Sequence, residues 1–455
     1  MRKSKPNILT NITSIYIYLM LTAFLLFCGT NGYQGIVEAK FAAFCVICGG
    51  YILVMGIAAL EGILVGTVKP QSPISILRKT SWPQRLAIAY MILTWVSVAL
   101  SPYWKDSIIG TSRYEGAVTI TIYGVCFLLV SVFGRVSKQM LWTLGASVLL
   151  FCVLSILQLA GYNPLTLYPD GYNYMDANVH YGGAYLGTVG NIDLVAAFLC
   201  LAIPVMWIGL LRIKDRNRFW MIIPLLAAVI VLVKVGVLAG LVGVFAGGFL
   251  ILPLVVPVPD RSRKAITLAV AAVIVVCFFT IFFVDMGDGL FHEVHEILHG
   301  RMEDTFGSGR IHIWKQVLQQ TPSQLWFGSG PDTMLHAQME SFTRYDKSLG
   351  GMIVSLIDVA HNEYLNILFH QGIFALIAYL AMVITLSVQW VKHAGGDAVT
   401  AMLGGGAWCY CVQAFFGFSM CMTAPFFWLT LALLENRTAR KNIGGARNAK
   451  KISKS

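Results

Sequence analysis

Apolar stretches close to twenty residues long recur along the whole chain, each ended by a short polar or basic segment. A bilayer core of ~30 Å needs about 20 helical residues, and about twelve runs meet or approach that length. They lie near 14–30, 41–66, 84–101, 116–134, 140–161, 188–211, 219–234, 235–257, 265–284, 366–391, 398–418 and 421–434. The division within 219–257 is the least marked, because Lys234 and Gly236 alone interrupt it. A segment in hydrocarbon must satisfy its own backbone hydrogen bonds, so the runs predict helices. The expected fold is an all-α polytopic membrane protein of about 12 transmembrane helices, a single integral membrane domain over 1–455.

Composition agrees with that class. Hydrophobic residues make up 57% and charged residues 12%, where a soluble domain carries roughly a quarter charged. The basic residues set the orientation. With the N-terminus inside, the inner segments collect Arg2, Lys3 and Lys5; Lys69, Arg78, Lys79 and Arg85; Arg135 and Lys138. Further along they collect Arg212, Lys214, Arg216 and Arg218; Arg261, Arg263 and Lys264; and Lys392. Both termini are therefore expected in the cytoplasm, and a large loop at about 285–360 on the outer face. The net charge of +11 needs no nucleic-acid partner. The tail at about 435–455, with Arg437, Arg440, Lys441, Arg447, Lys450, Lys451 and Lys454, reads as an anchor against anionic lipid headgroups. The N-terminal MRKSKP and its apolar run end in LLFCG, but Phe27 stands where a lipoprotein cleavage site wants a small residue, so an uncleaved span is expected. Cys45 and Cys48 form a CxxC in apolar surroundings without a second pair, which suits packing better than zinc.

Three outer segments are long enough to build a site. PYWKDSIIGTSRYEG begins at Pro102. The segment at about 162–187 is rich in Tyr, Gly and Asn and acidic at Asp170 and Asp176; such loops suit sugar rings, and equally the headgroup region where Tyr is ordinarily enriched. The 285–360 loop carries helical apolar spacing from about 308 to 320 (Ile311, Ile313, Trp314, Val317, Leu318), which predicts a short interfacial helix with Arg310 in its first turn. TPSQ at 321–324 ends it, and GSGP at 328–331 reads as a turn.

Five motifs occur in order: GTSRYEG at 110–116, GTVGNIDLVAAFL at 187–199, GSGR at 307–310 with Trp314 and Lys315, FGSGPDT at 327–333, and HNEYLNILFHQG at 361–372. Together they resemble the O-antigen ligase and polymerase family of membrane glycosyltransferases. The resemblance covers most of the chain, although no single motif is very specific. It implies a GT-C-like fold of about a dozen helices related to other polyprenyl-phosphate-dependent glycosyltransferases, with no metal cofactor. It also implies transfer of a glycan from a polyprenyl pyrophosphate carrier to a glycan, lipid or protein acceptor, at the outer face of the bacterial cytoplasmic membrane.

That chemistry can be set against the residues. Without Mg²⁺, the charge developing on the leaving pyrophosphate must be met by cations, and the planar fork of arginine pairs phosphate oxygens bidentately. Arg310, in the matching motif, is the expected pyrophosphate ligand; an interfacial Arg on lipid headgroups is the plainer reading. His361 matches the family's HN position at the start of a span. It would take the proton of an acceptor hydroxyl or hold the phosphate, or else simply cap the helix. Asn362 beside it is carried over as substrate-binding. Lys234 is the sole candidate for a second family cation, where the family has Arg; deep in an apolar run it would be functional by default, unless it snorkels to the interface. Arg113 and Glu115 would bind phosphate and sugar hydroxyls, or pair with each other. Asn191 and Asp193 also look family-like, but an Asn there is commonly a helix cap.

One pattern points elsewhere. HEILH at 295–299 matches HExxH, with His292 one turn earlier, and on a helix His295 and His299 share a face that suits zinc, with Glu296 as base. Glu303, His312 and His336 are candidate third ligands for such a metalloprotease. The other competing class is a transporter or flippase for lipid-linked oligosaccharides, which would also have a dozen helices and a cationic cavity. The leading expectation is a metal-independent inverting glycosyltransferase, ligase or polymerase, that uses His361 and Arg310.

Overall fold

The computed structural model describes residues 8–67, 78–175, 184–346 and 351–452, with Ser72 and Ser75. Lys69 and Asp176, the N-terminal Arg2, Lys3 and Lys5, and Lys454 of the tail lie outside the described residues.

Every apolar run holds helix. Seven helical stretches are long and apolar enough to cross a membrane: Gly32–Leu64, Trp82–Leu100, Lys138–Leu159, Ile192–Arg212, Arg216–Val235, Asp260–Phe283 and Glu363–Ala394. The runs at 14–30, 116–134 and 235–257 hold the shorter apolar helices Ile8–Phe24, Ala117–Phe133 and Leu238–Leu250. Those at 398–418 and 421–434 hold Ala398–Ala414 and the start of Ala424–Ile452. Among the described residues seven helices thus satisfy length and composition, and the expected count of about twelve is not confirmed by them. Ala117–Phe133 and Ala398–Ala414 are uninterrupted helices of 17 residues, and Leu238–Leu250 carries a π segment at Val242–Ala246.

Ile192–Arg212 runs through the centre of the core, and most of its residues are buried. Ala398–Ala414 packs closely on it through Gly405 and Gly406, while Gly404 faces Trp390 of Glu363–Ala394. A Cβ on Gly406 would lie 2.8 Å from the Leu201 carbonyl, and one on Gly405 2.3 Å from Ile208. Small residues are what allow helix backbones to approach in a membrane, where no hydrophobic force drives them together. Asp260–Phe283 is the opposite case: it is apolar yet buries Val270 alone.

Among the described residues two departures from an all-helical fold occur. Phe342–Asp346 pairs antiparallel with Gly351–Ser355 in the 285–360 loop. Tyr185–Leu186 pairs with Gly190–Asn191 just before Ile192–Arg212. The expected interfacial helix is present as Phe306–Gln320, but Gly307, Ser308 and Gly309 all have positive φ (62°, 61° and 84°). Regular helix therefore begins at Arg310. TPSQ forms a 3₁₀ turn, Thr321–Gln324, as the sequence suggests.

Candidate active site

Glu363–Ala394 is kinked at Gly372, whose φ of 81° and ψ of 178° are open to glycine alone. The kink exposes carbonyls that a continuous helix would consume, and the FGSGPDT segment takes them. Ser329 N donates to Phe369 O at 2.9 Å, and Gly330 N to His370 O at 2.9 Å. Ile373 N in turn donates to Leu325 O at 2.8 Å. The approach is close enough that a Cβ on Gly328 would meet the His370 carbonyl carbon at 2.3 Å. The GTSRYEG loop joins the same junction through Asp332, whose Oδ2 accepts from the amides of Arg113 at 3.0 Å and Ser112 at 3.3 Å. Thr111 Oγ1 donates to Asp332 O at 2.6 Å. Three motifs from three parts of the chain thus form one backbone-bonded unit.

Above this unit Arg113 makes a bidentate pair with Asp358, Nη2 donating to Oδ1 at 2.9 Å and Nε to Oδ2 at 3.0 Å. Its guanidinium also lies over the Phe418 ring at 4.4 Å. The expected Arg113–Glu115 pairing is not what forms. Glu115 instead accepts from Tyr123 Oη at 2.8 Å, because Arg113 turns to the loop at 356–361, whose carboxylate is reachable by both arms of its fork.

His361 stacks edge-on against the same Phe418 ring, centroids 5.2 Å apart, and holds a φ of 46°. A β-carbon-bearing residue in that region is unusual and marks a constrained backbone. Arg310 reaches the neighbouring residues: its Nε donates to Phe416 O at 3.0 Å and its Nη1 to Gly307 O at 2.7 Å. Trp314 Nε1 donates to Ala360 O at 2.9 Å, which ties the Arg310 helix to the residue before His361. The segment from Phe416 to Met420 is therefore the hub where Arg310, His361 and Arg113 meet. Nothing in its sequence, FGFSM, marks it as such.

Asn362 is the N-cap of Glu363–Ala394, its Oδ1 accepting from Tyr364 N at 3.0 Å and Leu365 N at 3.1 Å. It is buried and spent on the helix end. Asn191 likewise caps Ile192–Arg212. Lys234 lies within the apolar run at the end of a candidate span, Arg216–Val235. It is exposed in the last turn of Ile222–Val235, which ends at Gly236 in the left-handed conformation. The least-marked division in the sequence is thus a true helix end.

Below Arg113 and Asp358 is a cavity of about 70 Å³. One face of Glu363–Ala394 lines it with Glu363, Asn366, Ile367, His370 and Gln371. These are helix positions i, i+3, i+4, i+7 and i+8. Glu115, Asp332 and the tyrosines Tyr90, Tyr123 and Tyr379 face them. Burial pushes the Glu115 carboxyl well above its usual value, and nearby Asp332 and Glu363 push it further. Asp332 is also raised by burial, although the Arg113 and Ser112 amides and the Arg113 charge oppose this. Within HNEYLNILFHQG the sequence points to His361 and Asn362; for Glu363, Asn366, His370 and Gln371 the signal is the polar stripe at helical spacing.

The HExxH residues are engaged locally. His295 Nδ1 is 2.7 Å from Ile281 O, and His299 Nδ1 2.8 Å from His295 O. Glu296 takes both arms of Arg301, at 2.6 and 2.7 Å. Of the suggested third ligands, His336 pairs with Asp106 and stacks on Tyr103, and His312 lies beside Asp304. Among the described residues the cluster with metal-like spacing is instead Asp285, His292 and Glu296.

No curated protein matches the chain. Residues 236–380, which include Arg310, His361 and the helix stripe but not Arg113 or Glu115, match a family model described as O-antigen ligase, and over that stretch the chain is similar to the family.

Proposed function

We propose that the protein transfers a glycan from a polyprenyl pyrophosphate carrier to an acceptor hydroxyl at the outer face of the cytoplasmic membrane, by inverting displacement without a metal. The gathering of Arg310, His361 and Arg113 around Phe416–Met420 carries this reading. The acceptor oxygen attacks the anomeric carbon, and the bond to the pyrophosphate breaks with its electron pair going to the phosphate. Charge grows on oxygens next to Arg310, whose fork meets them. Arg113 is a second cation within the same cluster, held for now by Asp358, and His361 assists the phosphate or the acceptor. Lys234 is assigned to the carrier at the membrane surface. Asn362 fixes the start of the helix that presents His361.

The test is transfer by purified protein from a defined lipid-linked saccharide, with and without EDTA, by the wild type and by Arg310→Ala and His361→Ala. Transfer insensitive to EDTA and lost in both variants is expected; full activity in both variants removes the mechanism. A ladder of repeat lengths in the product marks a polymerase, and a single added glycan marks a ligase. Translocation of lipid-linked substrate without any product would instead mark a flippase.

A further inference from the structure

We propose that the cavity beneath the Arg113–Asp358 pair is the acceptor subsite, and that His370 removes the proton of the attacking sugar hydroxyl. The inference rests on the glycosyl-transfer reading and adds to it a base and a place for the acceptor.

The charge of the cavity decides what enters. Its walls carry the carboxyl groups of Glu115, Asp332, Glu363 and Asp358. Arg113 is the only Lys or Arg among its described lining residues, and its guanidinium is already committed to Asp358. Burial holds Glu115 and Asp332 toward the neutral acid, so the wall offers a diphosphate no uncommitted Lys or Arg and suits a ligand that exchanges hydrogen bonds. Carboxylates with interleaved Tyr90, Tyr123 and Trp428 rings present both what sugar hydroxyls and what the apolar face of a pyranose require. The volume fits one edge of a sugar: about 70 Å³, against the ~10–15 Å³ that one water needs. The phosphate therefore stays with Arg310, and the acceptor's hydroxyl-bearing edge occupies the acidic cavity.

His370 has the geometry of a base there. It is 8% exposed, and its Nδ1 lies 3.0 Å from the Gly330 carbonyl. A carbonyl has no proton to give, so Nδ1 carries it. The Thr333 amide lies 3.4 Å from the same nitrogen, farther than the carbonyl, and does not set the tautomer. With Nδ1 turned to Gly330, the opposite ring edge is the part left to line the cavity, and its Nε2 is a lone-pair acceptor. The Gly330 carbonyl is itself held by the junction at Gly372, where Gly330 N donates back to His370 O. Backbone thus orients the ring, as a carboxylate orients the imidazole in other hydrolases and transferases. In the step, the hydroxyl proton passes to Nε2, the oxygen bonds to the anomeric carbon, and the bond to the pyrophosphate breaks. The imidazolium then returns its proton to water. His361, which does not line this cavity, is left to the phosphate side.

The test compares wild type with His370→Ala and His370→Gln, using a defined polyprenyl pyrophosphate saccharide and a sugar acceptor, with azide as an alternative acceptor. Azide has no proton to lose. Both variants are expected to bind the lipid-linked donor as wild type does and to lose transfer to the sugar by roughly 10²–10⁴-fold in kcat. His370→Ala is expected to recover turnover with azide and to form the inverted glycosyl azide. Glu363→Gln is expected to raise the KM for the sugar acceptor without changing donor affinity. Wild-type transfer with unimpaired His370 variants, or loss that azide fails to rescue while donor binding persists, overturns the assignment alone. Absence of transfer by the wild type overturns the functional reading beneath it.

Discussion

Two polar islands interrupt this hydrocarbon-soluble chain, and they behave differently. The one at 285–303 contains HEILH, the most regex-like motif in the sequence, and its side chains pair within a few positions: Glu296 with Arg301, His292 with Asp285, His299 with the carbonyl one turn back. The one at 361–371 matches no short catalytic pattern by itself. Yet it is joined to Arg113, 245 positions from Asp358, and to the 416–420 hub. Spacing along a helix shows which side chains share a face. Whether they are left over for chemistry depends on what the neighbouring turns offer them.

The comparison is sharpened most by removing Arg310. Arg310→Ala is expected to lower kcat by roughly 10²–10³-fold, the usual cost of one donor to a developing anion, with the protein still in the membrane. Arg310→Lys keeps the charge but loses the fork and should fall between. The readout is transfer from a lipid-linked donor.

Next is the junction that holds the second island together. Gly372→Ala would place a Cβ 2.3 Å from the Trp326 carbonyl oxygen on a backbone that costs a non-glycine residue ~1–3 kcal/mol before any clash. Thermal unfolding in detergent is expected to drop sharply, and activity with it. The same change at Gly300, where a Cβ would meet nothing within 4 Å, carries the φ penalty alone and should cost clearly less.

Breaking the Arg113–Asp358 pair comes third. Their side chains are 19% and 27% exposed, so Asp358→Ala should cost about 2 kcal/mol, below the ~3–5 kcal/mol of a fully buried pair. It should also strengthen binding of inorganic pyrophosphate by freeing the fork, measurable by calorimetry.

Glu115→Gln should show a smaller effect with a definite pH sign. A carboxyl whose folded pKa is raised resists ionisation in the folded state while the unfolded chain ionises freely. Wild-type stability therefore falls as pH rises from the ordinary glutamate range through the raised value. The variant lacks this loss. It should melt higher than wild type at neutral pH and no higher at pH 4.

The smallest expected effect belongs to the first island. The double variant His295→Ala with His299→Ala should transfer at wild-type rate, and bound zinc measured by emission spectroscopy should not differ between the two. Loss of transfer with loss of zinc would reverse the comparison.

Much of the fold was legible because lipid imposes a simple rule: long apolar runs must be helices. Arg310 at the start of regular helix was also legible, a local choice of Gly and apolar spacing, whereas GSGP, which reads as a turn, instead runs along the kinked helix and bonds to its carbonyls. The stripe Glu363, Asn366, His370 and Gln371 was there to be read, since polar residues seldom share one face of a membrane helix without a task. The helix end at Gly236 was hard to read, because Lys234 and Gly236 alone interrupt so many valines and leucines.

By itself the sequence determined helices and their approximate limits, because these depend on neighbours within a few residues; the kink at Gly372 was decided by the FGSGPDT segment packed against it. Which cation faces which carboxylate was decided by tertiary structure. Arg113 chose Asp358 over Glu115, and a stretch as plain as FGFSM became the meeting point of Arg310, His361 and Arg113. Such partners lie hundreds of residues apart along the chain, and only helix packing sets the ångström distances on which charge pairing depends.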